Sequence, residues 1–453
     1  MASKSLTQGA VWKNLLFFAL PLLGTSLIQQ LYNTVDLIFV GNFLGAEETA
    51  AVGASTLFVT CLVGFFSGMS VGASAVTAYV FGTKDKKALN KVIHTAVALG
   101  FISGVAVTLI GIIAAPAFLK LINTPDQILT LAVSYVRVYF LSILALVTYN
   151  MAAGIIRSFG DAKATMKIQL IGGLVNVLMD ALAILVFKQG VVGVAVASFF
   201  SQTVAAGLAL FYLMRLDPEF RLRLKALQLD RDYLMQMIRI GVPSGLQAML
   251  ITLSNLVVQS QVNSLGVSAI AAFAAYFKVE LLLYLPILAM GQAIATFTGQ
   301  NIGAGKLERV RQGTKSCLLM GGAITIFSSV LLLLFGSQAF SLIIKDPEVV
   351  TLGQEIIKIT FPFYWIYLVM EVLAGTIRGA GKAGPPMLII LLNIFLIRTS
   401  MVFVMMALNG SIGGIAAIYP VTWASTAIFM ALYYFKGNWI GTFEGLKRET
   451  QNA

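Results

Sequence analysis

Five carboxylates lie inside apolar stretches of this sequence, where an ionised side chain is costly. They are Asp36, Asp180, Glu280, Glu355 and Glu371. On insertion scales a carboxylate at the centre of a membrane span costs ~2.5–3.5 kcal/mol, so each of them needs a partner or a task. Glu355 is near the end of its stretch, where we expect an interfacial position. The other four are candidate sites for binding a cation or a proton.

The clearest spacing joins an amide to a carboxylate. Asn176 precedes Asp180 by four residues, which places both side chains on one face of a helix. Their oxygens are hard ligands of the type that a small alkali cation or a proton relay requires. Asp36 adds a second acid late in the first apolar run. The alternative interpretation is that both aspartates are structural hydrogen-bonding groups between helices.

Glu280 and Glu371 form a second candidate set, further along the chain. Either carboxylate could accept a cationic substrate or a proton. The alternative for each is a satisfied interhelical group, paired with Lys278, Lys358 or Arg398. Both interpretations stay open for these two glutamates.

Cysteine and histidine offer little additional chemistry. Cys61 and Cys317 lie in apolar stretches and lack the local spacing of a metal site. His94, the single histidine, stands beside Lys91 at the start of an apolar run, and we expect a structural role for it. No cofactor is predicted.

The elements that position these residues are membrane-spanning helices. The chain has 453 residues, of which 58% are hydrophobic and 11% charged, against about a quarter charged in a typical soluble domain. Its mean hydropathy is +0.89, and the apolar runs are long enough for helices that cross a ~30 Å hydrocarbon core. This composition excludes a soluble enzyme, a nucleic-acid-binding module and a secreted disulfide scaffold.

Twelve apolar runs are separated by Gly, Pro or charge clusters, which predicts an all-α polytopic membrane protein with twelve transmembrane helices. The runs cover residues 14–40, 52–80, 90–119, 127–156, 165–187, 190–214, 235–262, 269–300, 312–343, 349–377, 385–408 and 412–436. Pro21 lies inside the first run. Because proline removes a backbone hydrogen bond, Pro21 permits a bend in the segment that carries Asp36.

The basic residues predict the topology. If the N-terminus is cytoplasmic, 24 of the 31 Lys and Arg residues fall on that side, and only Lys120, Lys188 and Lys345 fall on the other. The positive-inside rule then places both termini in the cytoplasm. The net charge of +12 is therefore a signal of topology and of contact with anionic lipid, and no nucleic-acid partner is expected.

An internal repeat divides the chain near its longest polar segment. Six residues recur at a shared offset of 221 positions: Ala153, Gly154, Ile156, Arg157, Gly160 and Ala162 recur as Ala374, Gly375, Ile377, Arg378, Gly381 and Ala383. Two repeats of six spans insert with the same orientation, and a substrate path between them is the natural expectation. We predict an N-terminal six-helix lobe at 1–214, a cytoplasmic linker at 215–234, a C-terminal six-helix lobe at 235–440 and a cytoplasmic tail at 441–453.

These features together resemble the multidrug and toxic compound extrusion (MATE) family over nearly the whole chain. In the DinF-like and archaeal members a first-span proline precedes an aspartate by fifteen residues, as Pro21 precedes Asp36 here. Those members also pair Asn and Asp four residues apart in the fifth span, with a hydroxyl residue eighteen further on. The corresponding residues are Asn176, Asp180 and Ser198, with Ser where Thr is usual.

The resemblance implies V-shaped lobes and a first-lobe site for Na⁺ or H⁺ at Asp36, Asn176, Asp180 and Ser198. Tyr32, Tyr135 and Asn150 match neighbours of that site more loosely, and Pro21 would be the hinge. The NorM-like branch carries a glutamate in the seventh span, which is absent here, so Glu280 and Glu371 are not transferred from the family.

The function implied is antiport, with amphipathic and often cationic compounds exported by alternating access in exchange for the cation. This would be a transporter rather than an enzyme, a monomer in the inner membrane of a prokaryote, with small molecules and membrane lipids as its partners.

Three other classes of membrane protein are alternatives to an antiporter. A lipid-linked sugar flippase would need more cavity arginines than Arg137 and Arg398; an intramembrane aspartyl protease lacks its sequence contexts; and a channel fits a paired repeat less well than a carrier.

Overall fold

The structure of the protein, a computed structural model, describes residues 5–121, 124–341 and 343–440, and the regular structure in these ranges is helical. Twelve of its segments are long and apolar enough to cross a membrane, so the predicted class and span number are confirmed. The predicted tail at 441–453 lies outside the described residues. The helices are α1 Val11–Phe43, α2 Ala46–Thr83, α3 Lys86–Leu121, α4 Asp126–Ser158, α5 Ala162–Ala181, α6 Gly190–Met214, α7 Arg231–Asn263, α8 Val267–Gly303, α9 Leu307–Leu334, α10 Gly336–Ser341, α11 Pro347–Thr360, α12 Tyr364–Gly379, α13 Gly384–Ile390, α14 Arg398–Asn409 and α15 Ile412–Lys436.

Three of the spans change helix type along their length. A 3₁₀ turn at Phe361–Phe363, which contains Pro362, joins α11 to α12 in the tenth span. A π-helical segment at Leu182–Val186 extends α5, and a second at Leu391–Ile397 joins α13 to α14. Such segments occur frequently at functional sites, and here one follows Asp180 while the other precedes Arg398.

The chain divides into two compact units. Among the described residues, the first contains Ser5 and residues 20–241, and the second contains residues 6–19 and 242–440. These units and the lobes predicted from the sequence differ in two segments, because the starts of α1 and α7 are each assigned to the opposite half. The chain passes from one unit to the other between residues 19 and 20 and again between residues 241 and 242. Pro21 and Pro243 are each the second residue after such a passage, and both lie inside a continuous helix.

The start of α7 also lies within the predicted linker. The Asp230 side chain accepts hydrogen bonds from the backbone N–H groups of Asp232 and Tyr233, at 3.2 and 3.4 Å. A side-chain oxygen at this position satisfies amides that have no partner inside the helix. The helix therefore begins at Arg231, before the apolar run from which the span was predicted.

The repeat is visible in how the helices pack inside each unit. A Cβ atom added to Gly154 of α4 would lie 3.1 Å from the backbone oxygen of Ser70 in α2. In the second unit a Cβ on Gly375 would lie 2.5 Å from the oxygen of Gly291. Gly375 follows Gly154 by 221 positions, and Gly291 follows Ser70 by the same number. The two contacts are therefore equivalent, and glycine permits one close helix crossing in each unit.

Candidate functional site

Two aspartates from different helices meet in the first unit. The carboxyl groups of Asp36 on α1 and Asp180 on α5 lie within hydrogen-bonding reach of each other. Two ionised carboxylates cannot bond directly, because both are acceptors only. Asp180 is fully buried, and both of its oxygens, together with Oδ1 of Asp36, have no hydrogen-bond donor.

Asn176 adds to the same group of unpartnered atoms. It lies one helical turn before Asp180, is 2% exposed, and neither its amide oxygen nor its amide nitrogen has a partner. Buried polar atoms are nearly always hydrogen-bonded, so a cluster of this kind indicates an exchangeable ligand. Carboxylate and amide oxygens suit Na⁺ or a shared proton. Among the described residues no group of three or more His, Cys, Asp or Glu side chains could hold a metal ion, so a multi-acid metal centre is not what this cluster offers.

Small residues bring α1 and α5 together at this point. A Cβ on Gly173 would lie 3.1 Å from Cδ1 of Tyr32, and the Gln169 amide donates to the Tyr32 hydroxyl at 3.2 Å. Both contacts lie on the helix face that carries Asp180, which follows Gly173 by two turns and Gln169 by three. The glycine therefore makes room for the tyrosine that precedes Asp36 by one turn.

Ser198 lies on α6, the helix that packs against α5. The pairing of α5 with α6 includes Gly172, which lies against Ala205, and Gly193, which lies against Ala183. Ser198 is in the part of α6 between these two contacts. Its assignment as a cation ligand stays a prediction.

Tyrosines surround the aspartates more extensively than predicted. Tyr32 and Tyr135 both lie close enough to Asp36 for electrostatic interaction, and so does Tyr139, whose ring is 6.0 Å from that of Tyr135. Tyr139 was missed because a tyrosine in an apolar run carries no distinguishing signal. Its spacing of four residues from Tyr135, on the same helix face, could have found it.

Asn150 and Pro21 lie away from the carboxylates. Asn150 is fifteen residues along α4 from Tyr135, ~22 Å of helix, and its amide nitrogen is buried without a partner. Pro21 is equally far from Asp36 along α1. Asn150 is therefore at a different depth of α4 from Tyr135, next to Tyr149, which interacts electrostatically with Tyr32.

Apolar side chains close the site on one side. Val40, Ile184 and Val194 form a buried cluster, against which Phe39, Leu44 and Val52 pack. Each of the three buried residues is four positions, one helical turn, from a ligand candidate: Val40 from Asp36, Ile184 from Asp180, and Val194 from Ser198.

Glu280 lies in a different environment in the second unit. It accepts a hydrogen bond from the Tyr364 hydroxyl and lines an aromatic cavity of about 240 Å³ that Arg398 also lines. The Arg398 side chain donates to Thr422 Oγ1 at 3.1 Å and to Asn255 Oδ1 at 3.3 Å. Arg398 is the cation that acts electrostatically on Glu280, as one of the sequence alternatives proposed.

Glu371 forms a buried ion pair. Its Oε1 lies 2.5 Å from Nη2 of Arg378, on the same helix, and the two residues are 6% and 8% exposed. Neither Lys358 nor Lys278, which the sequence suggested as partners, is involved in this pair. Two residues seven positions apart on one helix lie on the same face, two turns from each other. This spacing is the signal in the sequence that could have found the pair.

Comparison with known proteins gives consistent matches along the chain. Residues 21–182 and 243–404 each match the MatE family model. The probable multidrug resistance protein YpnP of Bacillus subtilis (strain 168) is 28% identical over 442 residues, covering 97% of this chain and 98% of that protein. The probable multidrug resistance protein YoeA of the same strain is 26% identical over 446 residues, covering 96% of each.

Solved structures share the fold. The crystal structure of MATE in complex with MaL6 has a TM-score of 0.90 at 21% identity, and the match covers 99% of this chain and 100% of that chain. The two separate stretches that match one family model agree with the repeat seen in the sequence and in the helix packing. On these matches the chain belongs to the MatE family, the MATE transporters.

Proposed function

We propose that this protein is a cation-coupled antiporter that exports amphipathic, often cationic, small molecules. Na⁺ or H⁺ would bind at Asp36, Asn176, Asp180 and Ser198. One observation carries the proposal: five buried nitrogen and oxygen atoms of Asp36, Asn176 and Asp180 have no hydrogen-bond partner. Leaving the four oxygens among them without a partner is unfavourable, and a bound cation or proton would remove that cost.

The same cluster supplies a mechanism for coupling. Two facing carboxylates repel each other when both are ionised, and a cation between them converts repulsion into attraction. Binding would therefore draw α1, through Asp36, toward α5. Pro21 would accommodate this movement as the hinge, because its helix lacks one backbone hydrogen bond there. The cation would be released and rebound as the protein alternates between inward and outward access.

The membrane potential can drive this cycle. Moving one elementary charge through 100 mV is worth ~2.3 kcal/mol, which shifts a two-state equilibrium about fiftyfold. With both termini cytoplasmic, as the basic residues indicate, the cluster of Val40, Ile184 and Val194 lies on the outer side of the site. Separation of this cluster would open the site to external cation.

The remaining features of the proposal follow from the sequence and the relatives. We place the protein in the inner membrane of a prokaryote, as a monomer in contact with lipid, with no nucleic-acid partner, no cofactor beyond the coupling ion and no enzymatic activity. The names of the relatives support drugs as cargo. Glu280 remains a candidate for substrate or proton binding in the second unit, and Glu371 is a weaker candidate because Arg378 already neutralises it.

The experiment is efflux of a fluorescent cationic dye from proteoliposomes, with Na⁺ and pH gradients imposed separately. Wild type is compared with Asp36→Asn and Asp180→Asn, and Glu355→Gln is the matched control that removes an exposed carboxylate from the other unit. We expect one gradient to drive efflux in wild type and in the control, and neither gradient to drive it in the two aspartate variants. That result also names the coupling ion.

Unchanged gradient-driven efflux in Asp36→Asn would show that the cation binds elsewhere. If wild type moves no dye under either gradient, antiport of this cargo class is wrong for this protein. Lipid-linked substrates would then be tested.

A further inference from the structure

The connection between α6 and α7 exposes leucines among basic residues. Leu224, Leu227 and Leu229 are 49%, 37% and 46% exposed. Arg221, Arg223 and Lys225 are interspersed with them, and all three are exposed. We refer to residues 221–229 as the basic leucine loop. Alternating cationic and large apolar side chains on a protein surface suit an interface between water and lipid better than water alone.

Both ends of the basic leucine loop are fixed to neighbouring residues of α3. The backbone N–H of Arg223 donates to Nε2 of His94 at 3.1 Å, and the N–H of Asp230 donates to Oγ1 of Thr95, also at 3.1 Å. Leu222 is 1% exposed and anchors the first end in the protein interior. The residues between these anchors are thus held outward by the fold.

The histidine has a defined role in this arrangement. Because Nε2 of His94 accepts from Arg223, its Nδ1 is assigned as the donor to the carbonyl oxygen of Asn90, 2.8 Å away. The buried imidazole uses both nitrogens, as its expected structural role requires. Lys91, one turn before Thr95, adds an ion pair to Asp230 at 3.3 Å. The loop is therefore a positioned surface.

The positive charge of the loop is not neutralised nearby. Asp217 and Glu219, the adjacent acids, pair with Lys86 at 3.9 and 2.6 Å. Over the described ranges, no ion pair includes Arg221, Arg223 or Lys225. These three cations are available to an external anion, next to the ends of two membrane-spanning helices.

We propose that the basic leucine loop docks onto the surface of the bilayer and binds anionic phospholipid headgroups. Its arginines and lysine contact lipid phosphates, and its leucines enter the interfacial region beside the ends of α6 and α7. Three cations with three adjacent apolar side chains supply both signals that stable interfacial binding requires. This role is independent of cation coupling in the first unit.

The test uses the full chain in lipid nanodiscs made of phosphatidylcholine alone or with phosphatidylglycerol. An environment-sensitive fluorophore is attached at Leu227→Cys in a Cys61→Ala, Cys317→Ala background. Ser264→Cys, in the exposed turn between α7 and α8, is the control position. With phosphatidylglycerol we expect a blue shift at position 227, loss of quenching by aqueous iodide, and a gain of quenching by nitroxide-labelled lipid. Position 264 should not respond to the lipid headgroup.

A charge variant then assigns the effect to the loop. Arg221→Gln, Arg223→Gln, Lys225→Gln should lose the response to phosphatidylglycerol, since each basic residue removed weakens binding to an anionic surface about fivefold. The matched variant Lys87→Gln, Lys163→Gln, Lys315→Gln removes the same charge from exposed sites elsewhere and should retain the response. Iodide access at position 227 that is equal in both lipid compositions would overturn the proposal and point to a protein partner for the leucines instead.

Discussion

The two units treat their intramembrane carboxylates in opposite ways. In the second unit Glu371 is paired with Arg378, and Glu280 shares its cavity with Arg398. In the first unit, within the described part of the chain, no ion pair reaches Asp36 or Asp180. The second copy thus pairs its buried acids with arginines, whereas the proposal gives the acids of the first copy an exchangeable cation. Coupling to an ion requires the second arrangement, because a covalently attached guanidinium cannot leave.

Aligned positions show how small the change between the copies is. Glu371 aligns with Asn150, and Arg378 aligns with Arg157, at the shared offset of 221. The arginine is present in both copies, and only the acid differs. In the opposite direction Asp180 aligns with Met401, so the second copy lacks the buried acid.

The largest effect we expect is on stability, from Arg378→Met. Removing one partner of a buried ion pair leaves an uncompensated charge, which costs ~3–5 kcal/mol. Arg157→Met is the matched change in the first unit, where the aligned residue is Asn150, and it should cost much less. Thermal unfolding in detergent compares the two variants. Equal losses would mean that the Glu371 pair is not what distinguishes the copies.

The next effect concerns Arg398, the resident cation beside Glu280. Arg398→Gln removes the guanidinium and its bonds to Asn255 and Thr422, for which we expect a loss of ~2–3 kcal/mol in unfolding free energy. Na⁺ or protons should then restore part of this stability, because Glu280 has lost its counter-ion. The double variant Glu280→Gln, Arg398→Gln should show no such restoration. If neither Na⁺ nor protons change the stability of Arg398→Gln, Arg398 does not act as the counter-ion of Glu280.

Asp180→Asn should have the opposite sign. In buffer free of Na⁺, removing an unpartnered buried carboxylate should stabilise the protein by ~1–2 kcal/mol, although we expect the variant to lose its transport activity. Added Na⁺ should raise the melting temperature of wild type if Na⁺ is the coupling ion, and should leave that of the variant unchanged. Destabilisation in both buffers would mean that Asp180 is a structural hydrogen-bonding residue, the alternative left open by the sequence.

The sequence predicted the parts of the molecule that depend on rare residues and long patterns. Twelve apolar runs predicted the number of membrane spans. An Asn and an Asp four residues apart in an apolar helix identified Asn176 and Asp180 as candidate ligands. The pairing of Glu371 with Arg378 was missed because several cations were available, although the seven-residue spacing of these two residues on one helix favours it. The π-helical segment after Asp180 was also missed, since apolar composition does not distinguish a bond to the fifth residue from one to the fourth.

The assignment of residues 6–19 to the second unit could not be read from the sequence either. Contacts far apart along the chain decide it: the N–H of Leu6 donates to Gln300 at 2.8 Å, and Lys306 donates to the carbonyl of Thr7 at 2.9 Å. Both bonds join a polar N-terminal segment to the region where α8 meets α9. Hydrophobic periodicity, from which the lobes were predicted, carries no information about such polar contacts.

The smallest effect we expect separates the two copies at one aligned position. Ser198 aligns with Tyr419, at the offset of 221. Ser198→Ala removes one oxygen ligand, for which ~1 kcal/mol is reasonable, so the cation concentration for half-maximal efflux should rise about fivefold. Ser198→Thr keeps the hydroxyl and should remain close to wild type.

Tyr419→Phe is the matched control for Ser198→Ala. It also removes a hydroxyl, but the ring stays beneath the guanidinium of Arg398, 4.6 Å away. If Arg398 takes the place of an exchangeable cation in that unit, as the comparison of the copies suggests, the half-maximal cation concentration should not change. If Tyr419→Phe shifts it as far as Ser198→Ala does, the second unit also binds the coupling ion, and the asymmetry of charge between the copies is not an asymmetry of function.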